Sequence, residues 1–300
     1  MPLSASFPNL VSLGVFVSVV ELGSVSKAAA AHHMAQPSAS NRLRILERQL
    51  GLTLLDRSSS GSIPTAEGSV VAGWAAGVLR AAEQLSAGVA ALQAEASGLL
   101  RIGASFTVAE YLLPPWLERF VRDRPTDSVS LLVANSASVE GQLNNGLVDL
   151  GFIESPHPTP ALSSQVVGRD ELVVVVAPGH PWSGRPSISL DALASTPLVL
   201  RERGSGTRDA LIEAFDRLGY PEPVSVLELG STAAVRAAVM NGSSPTIVSR
   251  LAVAADLTTQ SLVEIDVPGL SIQRDLRAVW RHGVELSPLA AALLAQLPNL

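Results

Sequence analysis

Residues 23–57 read GSVSKAAAAHHMAQPSASNRLRILERQLGLTLLDR, and this stretch decides the fold of the first part of the chain. Ser24 or Ser26 is placed to cap a helix running on through 28–33. Its four consecutive alanines, 28–31, combine high helix propensity with a small packing surface that lets a second helix approach closely. The next helix opens at Gln36 and Pro37, because proline is tolerated in a first turn where its missing donor is not needed, and runs to Gln49 before Gly51. Leu43, Leu46 and Leu50 form its apolar stripe. Ser40, Asn41, Arg44 and Arg48 occupy the other face with Gln36 at the tip, a set suited to base edges and phosphates. Upstream, Leu10, Leu13, Phe16, Val17 and Val20 recur at helical spacing between a cap at Asn9 and a stop at Gly23. Two helices joined by a turn of about three residues form a helix-turn-helix. Spacing alone also fits a plain three-helix domain whose polar third helix faces water.

Working outward, residues 66–96 lack proline and are rich in alanine, with Val71, Trp74, Val78, Ala81, Leu85, Gly88 and Leu92 spaced alternately by three and four. That is a heptad seam, and it predicts a partner helix from a second chain; the alternative is a long helix packed on its own domain. From Leu99 the pattern changes. Short apolar runs (LLRIGA, SVSLLVA, LVDLGFI) alternate with helical stretches (LLPPWLERFVRD, VEGQLNNG), and a second set follows (LVVVVAP, PLVLRE, TRDALIEAFDRLG, VSVLELG, TAAVRAAVMN, PTIVSR). This rhythm predicts an α/β domain of two similar lobes, each a mainly parallel sheet with helices on both faces.

In open α/β sheets ligands sit outside the carboxyl ends of the strands. Four strand-to-helix junctions carry short hydroxyls: Ser105, Phe106 and Thr107 after LLRIGA; Ser136 and Ser138 after SLLVA; Ser205 and Thr207 within GSGTR; Ser231 and Thr232 after VSVLELG. Free backbone donors at helix starts favour an anion there, although each hydroxyl taken singly is also a good helix cap. Glu154 closes LVDLGFI and is placed to accept from a polar or cationic group on a ligand.

Composition bounds the rest. With 300 residues, 47% hydrophobic and 16% charged, the chain is long enough for two globular domains. It has no cysteine, which excludes disulfides, thiolate metal sites and a thiol redox switch. The net charge of −6 is unevenly spread, since Lys27, Arg42, Arg44, Arg48 and Arg57 outnumber the acids of residues 1–65 by two and leave −8 on the remainder. Only the N-terminal part attracts phosphate. No run of about 18 apolar residues occurs, and the N-terminus lacks a basic region before an apolar one, so the expectation is a cytoplasmic protein without membrane association. The adjacent His32 and His33 cannot share one helical face as metal ligands would, and we expect neither metal nor cofactor.

Residues 23–57 followed by IPTAEG (residues 63–68) closely resemble the winged helix-turn-helix of LysR-type transcriptional regulators. The resemblance implies that Gln36, Pro37, Ser40 and Asn41 meet base edges, that Arg42 or Arg44 lies near the backbone, and that Arg57 and Thr65 stand on the two sides of a wing. It extends more diffusely over the rest of the chain. There it implies a periplasmic-binding-protein type 2 effector domain, with lobe crossings near Arg169 and Ile272, and a linker helix that pairs two subunits through Val71, Trp74, Val78, Leu85 and Leu92. The expected organisation is a winged helix-turn-helix in 1–65, a linker in 66–96 and an effector domain in 97–300. Within that domain lobe I comprises 97–168 and 272–300, and lobe II 169–271. GSGTR resembles a branch sensing small anionic metabolites. Three features depart from the family: Ala35 replaces a hydroxyl cap worth about 1 kcal/mol, the wing 58–62 is serine-rich where an arginine is usual, and Gly242, Ser243, Ser244 and Pro245 stand for Gly-Leu-Gly-Ile.

The implied protein binds double-stranded DNA and a small-molecule effector, forms a homodimer or homotetramer, and catalyses nothing. The competing readings are an exported solute-binding protein, which needs no helix-turn-helix, and an enzyme using the same cleft. A Walker loop is excluded because the sole lysine is Lys27. A nucleophilic serine lacks a recognisable base, since His157 and His180 lie beside prolines in expected turns and His282 near the last strand.

Overall fold

The computed structural model describes residues 8–58, 61–96, 98–158 and 160–297; the side chains of Arg57 and Leu92 lie outside the described set. Two units divide the chain between Ala87 and Gly88. In the first, α1 (Leu10–Leu22) is capped by the Asn9 side chain, which accepts from the Val11 amide at 2.8 Å, and α2 (Val25–Ala31) is capped by Ser24. The turn through His33, at φ 52°, leads into α3 (Gln36–Leu50), where Ala35 supplies no side-chain cap. The hairpin β1 (Leu55–Ser58) and β2 (Gly61–Pro64) forms the wing, and α4 (Ala66–Ala96) follows.

Ala28 and Ala29 of α2, and Ala39, Leu43 and Leu46 of α3, close over Leu13, Phe16 and Val19. Burying each large apolar side chain contributes roughly 1.5–3 kcal/mol. The stripe expected on α1 is rotated: Ser12, Leu13, Val15, Phe16 and Val19 are buried, while Leu10 is exposed. Because α1 is apolar on nearly every side, periodicity could not fix its inward face; packing against α3 does. Glu47 fastens α3 to the wing by accepting from the Leu54 and Leu55 amides at 3.0 and 3.3 Å. Thr65 donates to the Thr53 carbonyl and accepts from the Gly68 amide, tying the wing to the start of α4.

The second unit contains, in chain order, β3 (Leu99–Ala104), α5 (Phe106–Tyr111), α6 (Leu113–Arg122), β4 (Ser128–Val133), α7 (Ser136–Asn144), β5 (Leu150–Ile153) and β6 (Leu162–Val176). Then follow α8 (Leu190–Ala194), β7 (Leu198–Arg201), α9 (Gly206–Arg217), β8 (Ser225–Leu229), α10 (Thr232–Asn241), β9 (Thr246–Ser249) and α11 (Arg250–Thr258). The chain ends with β10 (Val263–Ile265), β11 (Ile272–Arg281) and α12 (Pro288–Gln296). The sheet order is β4-β3-β5-β11-β6-β9-β7-β8, with β10 beside β6.

Each lobe's outer strands are parallel, as the alternating pattern predicts, but β6 and β11 run antiparallel to each other and to their neighbours, so the sheet is mixed. These two long strands, the hinge strands, carry the chain between the cores of the two lobes. The sequence reading recognised only the apolar half of β6; its first half, Ser163, Ser164, Gln165 and Gly168 among it, looks like loop and is held as strand by the register with β11. Along the run LVVVV, Leu172, Val174 and Val176 face one core of lobe II and Val173 and Val175 the other, as the two-residue period of a strand buried on both faces requires. Arg169 lies in the first crossing. The second falls between Ile272, in a lobe II core, and Leu276, in the lobe I core, beside a bulge at Leu276/Arg277. The Gly242–Pro245 departure leaves the sheet intact, because the Pro245 carbonyl accepts from the Val199 amide at 2.9 Å.

Candidate functional site: a reading helix and a polar inter-lobe seam

On α3, Gln36, Pro37, Asn41 and Arg44 are exposed and Ser40 is half-buried. At about 100° per residue these five cover an arc of about 140° that begins beside the Ala39, Leu43 and Leu46 stripe at Gln36 and runs away from it to Asn41, with exposed Arg48 inside the arc. Arg42 does not join them: it is half-buried on the far flank of the apolar stripe. The missing cap at Ala35 leaves the first amides of α3 without a side-chain acceptor, at the end where Gln36 is presented.

The heptad seam on α4 is split by the structure. Val71 is buried in the core of its own unit and Val78 packs against that core, so neither stands free. Trp74 and Leu85, by contrast, are 70% and 71% exposed, and Val70 and Val89 are exposed beside them. The exposed apolar face therefore keeps Trp74 and Leu85 of the expected seam, while Val71 and Val78 are taken by the core of the first unit.

In the second unit five of the junction residues converge. Ser105, Thr107, Ser136, Ser205 and Thr207 are all buried, together with Glu154. Thr107, Thr207 and Glu154 are joined by a pair of charged residues that the sequence did not single out, Asp170 on β6 and Arg274 on β11, which face each other in the strand register. The Arg274 guanidinium donates to Asp170 Oδ2 at 2.9 and 2.6 Å, to Thr207 Oγ1 of lobe II at 3.0 Å and to Thr107 Oγ1 of lobe I at 3.2 Å. Ser249 completes Asp170 at 2.9 Å. Glu154 Oε2 lies 3.3 Å from Arg274, and Thr207 donates to Glu154 Oε1 at 3.4 Å. One buried cation thus serves two buried carboxylates, an arrangement that leaves Glu154 Oε2 without a hydrogen-bond donor. Two further oxygens in the seam lack partners: Ser105 Oγ and Ser205 Oγ, each at the start of a helix it does not cap with its side chain.

The lobes meet closely here. A Cβ on Gly206 would stand 2.6 Å from the Glu154 carbonyl, so only glycine lets α9 approach the end of β5. The Ala137 amide donates to the Gly204 carbonyl at 3.1 Å, and Asn135 donates to Glu202 at 3.1 Å. Arg201 of lobe II lies over the Phe106 ring of lobe I, 4.7 Å from its centroid. Burial opposes ionisation of Glu202, yet the Arg201 hydrogen bonds and charge outweigh it and hold the carboxyl below its usual range.

The remaining expected ligand residues sit outside the seam or are already engaged. Thr232 accepts from Arg201 at 3.0 Å, and Ser231 caps α10 through the Ala234 amide. Asn135, not Ser136 or Ser138, caps α7, and Ser136 Oγ accepts from the Glu154 amide at 3.3 Å. Within GSGTR, Arg208 binds the Arg201 carbonyl and the carboxylates of Glu222 and Glu228, bracing α9 rather than facing the seam. Asp170 and Arg274 stand among other charged residues, Arg169 and Glu171 on β6 and Asp275 and Arg277 on β11, so the sequence does not single them out; their burial and their pairing in the register do. Among the described residues no cluster of three metal-ligating side chains occurs, and no helix is long and apolar enough to cross a membrane.

A winged helix-turn-helix, a long helix with an apolar face and a two-lobed α/β unit with a polar seam define a ligand-responsive DNA-binding regulator. The chain matches the model of the LysR substrate binding domain over residues 93–299 and that of the bacterial regulatory helix-turn-helix protein, lysR family, over 10–69. It belongs to the LysR family of bacterial transcriptional regulators. The HTH-type transcriptional regulator Rv2282c of Mycobacterium tuberculosis is 43% identical over 309 residues, spanning 100% of this chain and 98% of the relative. The HTH-type transcriptional regulator YeiE of Escherichia coli is 34% identical over 273 residues, 91% of this chain and 90% of the relative. Among solved structures, the regulatory domain of Synechocystis CcmR in complex with 2-PG superposes with a TM-score of 0.61 at 28% identity, covering 68% of this chain and 99% of that one.

Proposed function

We propose that the lobes of this regulator close on a small oxyanion that also carries a donor group, and that this closure alters how the chain holds its operator. The observation that carries the reading is the pair of buried, unpartnered hydroxyls, Ser105 Oγ and Ser205 Oγ, one from each lobe, beside Thr107 and Thr207 that already share Arg274. Buried polar atoms are rarely left unbonded without a reason. Oxyanion oxygens accept from the two serines, and Glu154 Oε2 accepts from the donor on the ligand. The ligand class known for CcmR, a structure with 2-PG, is compatible with a site of this kind.

On DNA, Gln36, Ser40 and Asn41 read base edges in the major groove with Pro37 setting the helix start, and Arg44 and Arg48 hold phosphates. Two copies pair through the exposed α4 face around Trp74 and Leu85. A second contact between copies involves the apolar sheet edges, where Leu132 and Val133 on β4 and Val226 and Leu227 on β8, with Val224 just before it, are exposed. A role in catalysis has no support from the histidines: His157 sits 3.5 Å from Glu213, His180 packs on Trp182, and His282 bonds Ser163.

The test is a thermal-shift screen with small carboxylates, sulfur oxyanions and phosphosugars, followed by Ser205→Ala. A hit should raise the unfolding temperature of the wild type and bind the variant at least tenfold more weakly, while the free variant unfolds within about 0.5 kcal/mol of wild type because the lost hydroxyl had no partner. A ligand that binds the variant equally well would remove the serine from the site.

A further inference from the structure

A second cluster of polar groups lies outside the seam. A pocket of about 280 Å³ runs along α9 and the hinge strands, bounded by His157 of lobe I, by Arg217 of lobe II, and by Arg169 and Arg277 of the hinge. Its cations are incompletely matched. Arg169 and Arg277 share one carboxylate, Asp275, at 3.6 and 2.6 Å. Arg277 Nε is buried with no acceptor. Arg217, exposed at the end of α9, pairs with no acid among the described residues, since the nearby Glu213 faces His157.

We propose that this hinge pocket binds a small multivalent oxyanion, phosphate or a phosphate ester, at a site separate from the inter-lobe seam. Three guanidiniums line the pocket against two carboxylates, Asp275 and the Glu213 that faces His157, and the planar fork of arginine matches phosphate oxygens in pairs. The volume suits one such group and is too small for a nucleic-acid duplex. The walls come from both lobes and from both crossing strands, so a bound anion ties α9 to the hinge and holds the lobes together. Arg274 borders the pocket and also bonds Thr107 and Thr207 in the seam. Occupancy of the hinge pocket therefore raises affinity in the seam, and the reverse holds by linkage.

The experiment titrates the full-length protein with inorganic phosphate at ionic strength held constant with chloride, followed calorimetrically. The expected result is saturable binding that Arg217→Gln and Arg169→Gln each weaken at least tenfold. Acetate, with one charge, should bind at least tenfold more weakly than phosphate. Arg185→Gln, an exposed arginine in a lobe II loop, serves as the control for general charge and should leave binding within twofold. Circular dichroism confirms that each variant is folded; Arg169 and Arg217 lie on different elements, so either one alone carries the test. No saturable binding, an equal fall in all three variants, or acetate binding as tightly as phosphate would overturn the proposal. So would loss in Ser205→Ala with Arg217→Gln unchanged, because the phosphate would then occupy the seam.

Discussion

The reading helix and the inter-lobe seam use polar residues in opposite ways. On α3 the functional side chains are neighbours in sequence, displayed to water, and positioned by one helix whose other face is buried. In the seam they come from Ser105, Glu154, Asp170, Ser205 and Arg274, far apart in sequence, and they are buried where two lobes meet. Exposed polar groups tolerate substitution with little change in stability, whereas a buried charge depends on its partner for its place in the fold. Substitutions in the two regions should therefore separate cleanly into effects on recognition and effects on stability.

The largest expected effect is on the seam. Asp170→Ala leaves the Arg274 guanidinium, its side chain 1% exposed, without its closest carboxylate, and should cost about 3–5 kcal/mol in urea unfolding of the second unit. A loss below about 1 kcal/mol would mean the network does not hold the hinge. On the reading helix, Gln36→Ala should lower discrimination between operator and a mutated site by about 1–3 kcal/mol and leave the urea midpoint unmoved. Arg44→Ala should instead weaken all sequences alike and reduce the salt slope by about 0.9; equal losses of specificity in both variants would show that Gln36 only positions the helix. Phe106→Leu removes a ring from under Arg201, and a drop of about 0.5–1 kcal/mol in second-unit stability is expected.

The smallest effect is a pH dependence of the Asn135–Glu202–Arg201 bridge. Glu202 is held below its ordinary value of 4.5, so its contribution to stability is complete above that pH and fades as pH falls through the lower, folded value. Urea midpoints measured from neutral pH down to pH 4 and below should fall less steeply in Glu202→Gln than in wild type; parallel curves would remove Glu202 from the bridge.

How much was legible follows from the same contrast. The helix-turn-helix, its caps at Asn9 and Ser24 and the face of α3 were readable because a helix places residues three and four apart together, whatever the rest of the chain does. The α4 seam was readable only in part, because tertiary packing chose among its residues: Val71 has the right spacing for a partner helix and its own domain takes it instead, while Trp74 and Leu85 stay exposed. The hydroxyl-bearing junctions of the second unit were visible, but which hydroxyls are free was not, since that depends on Arg201 reaching Thr232 and on Arg274 reaching Thr107 and Thr207.

By itself the sequence determined a helix-turn-helix with Gln36 at the tip of its second helix, a long helix after it, and an α/β unit with strand-to-helix junctions rich in serine and threonine. Periodicity and capping are local, so they are written in local residues. Only the tertiary structure decided that β6 and β11 cross between the lobes as antiparallel partners, that Asp170 and Arg274 meet there, and that Ser105 and Ser205 remain unbonded beside them. Strand register joins residues about a hundred positions apart, and a buried charge reveals its partner only once the two strands lie side by side.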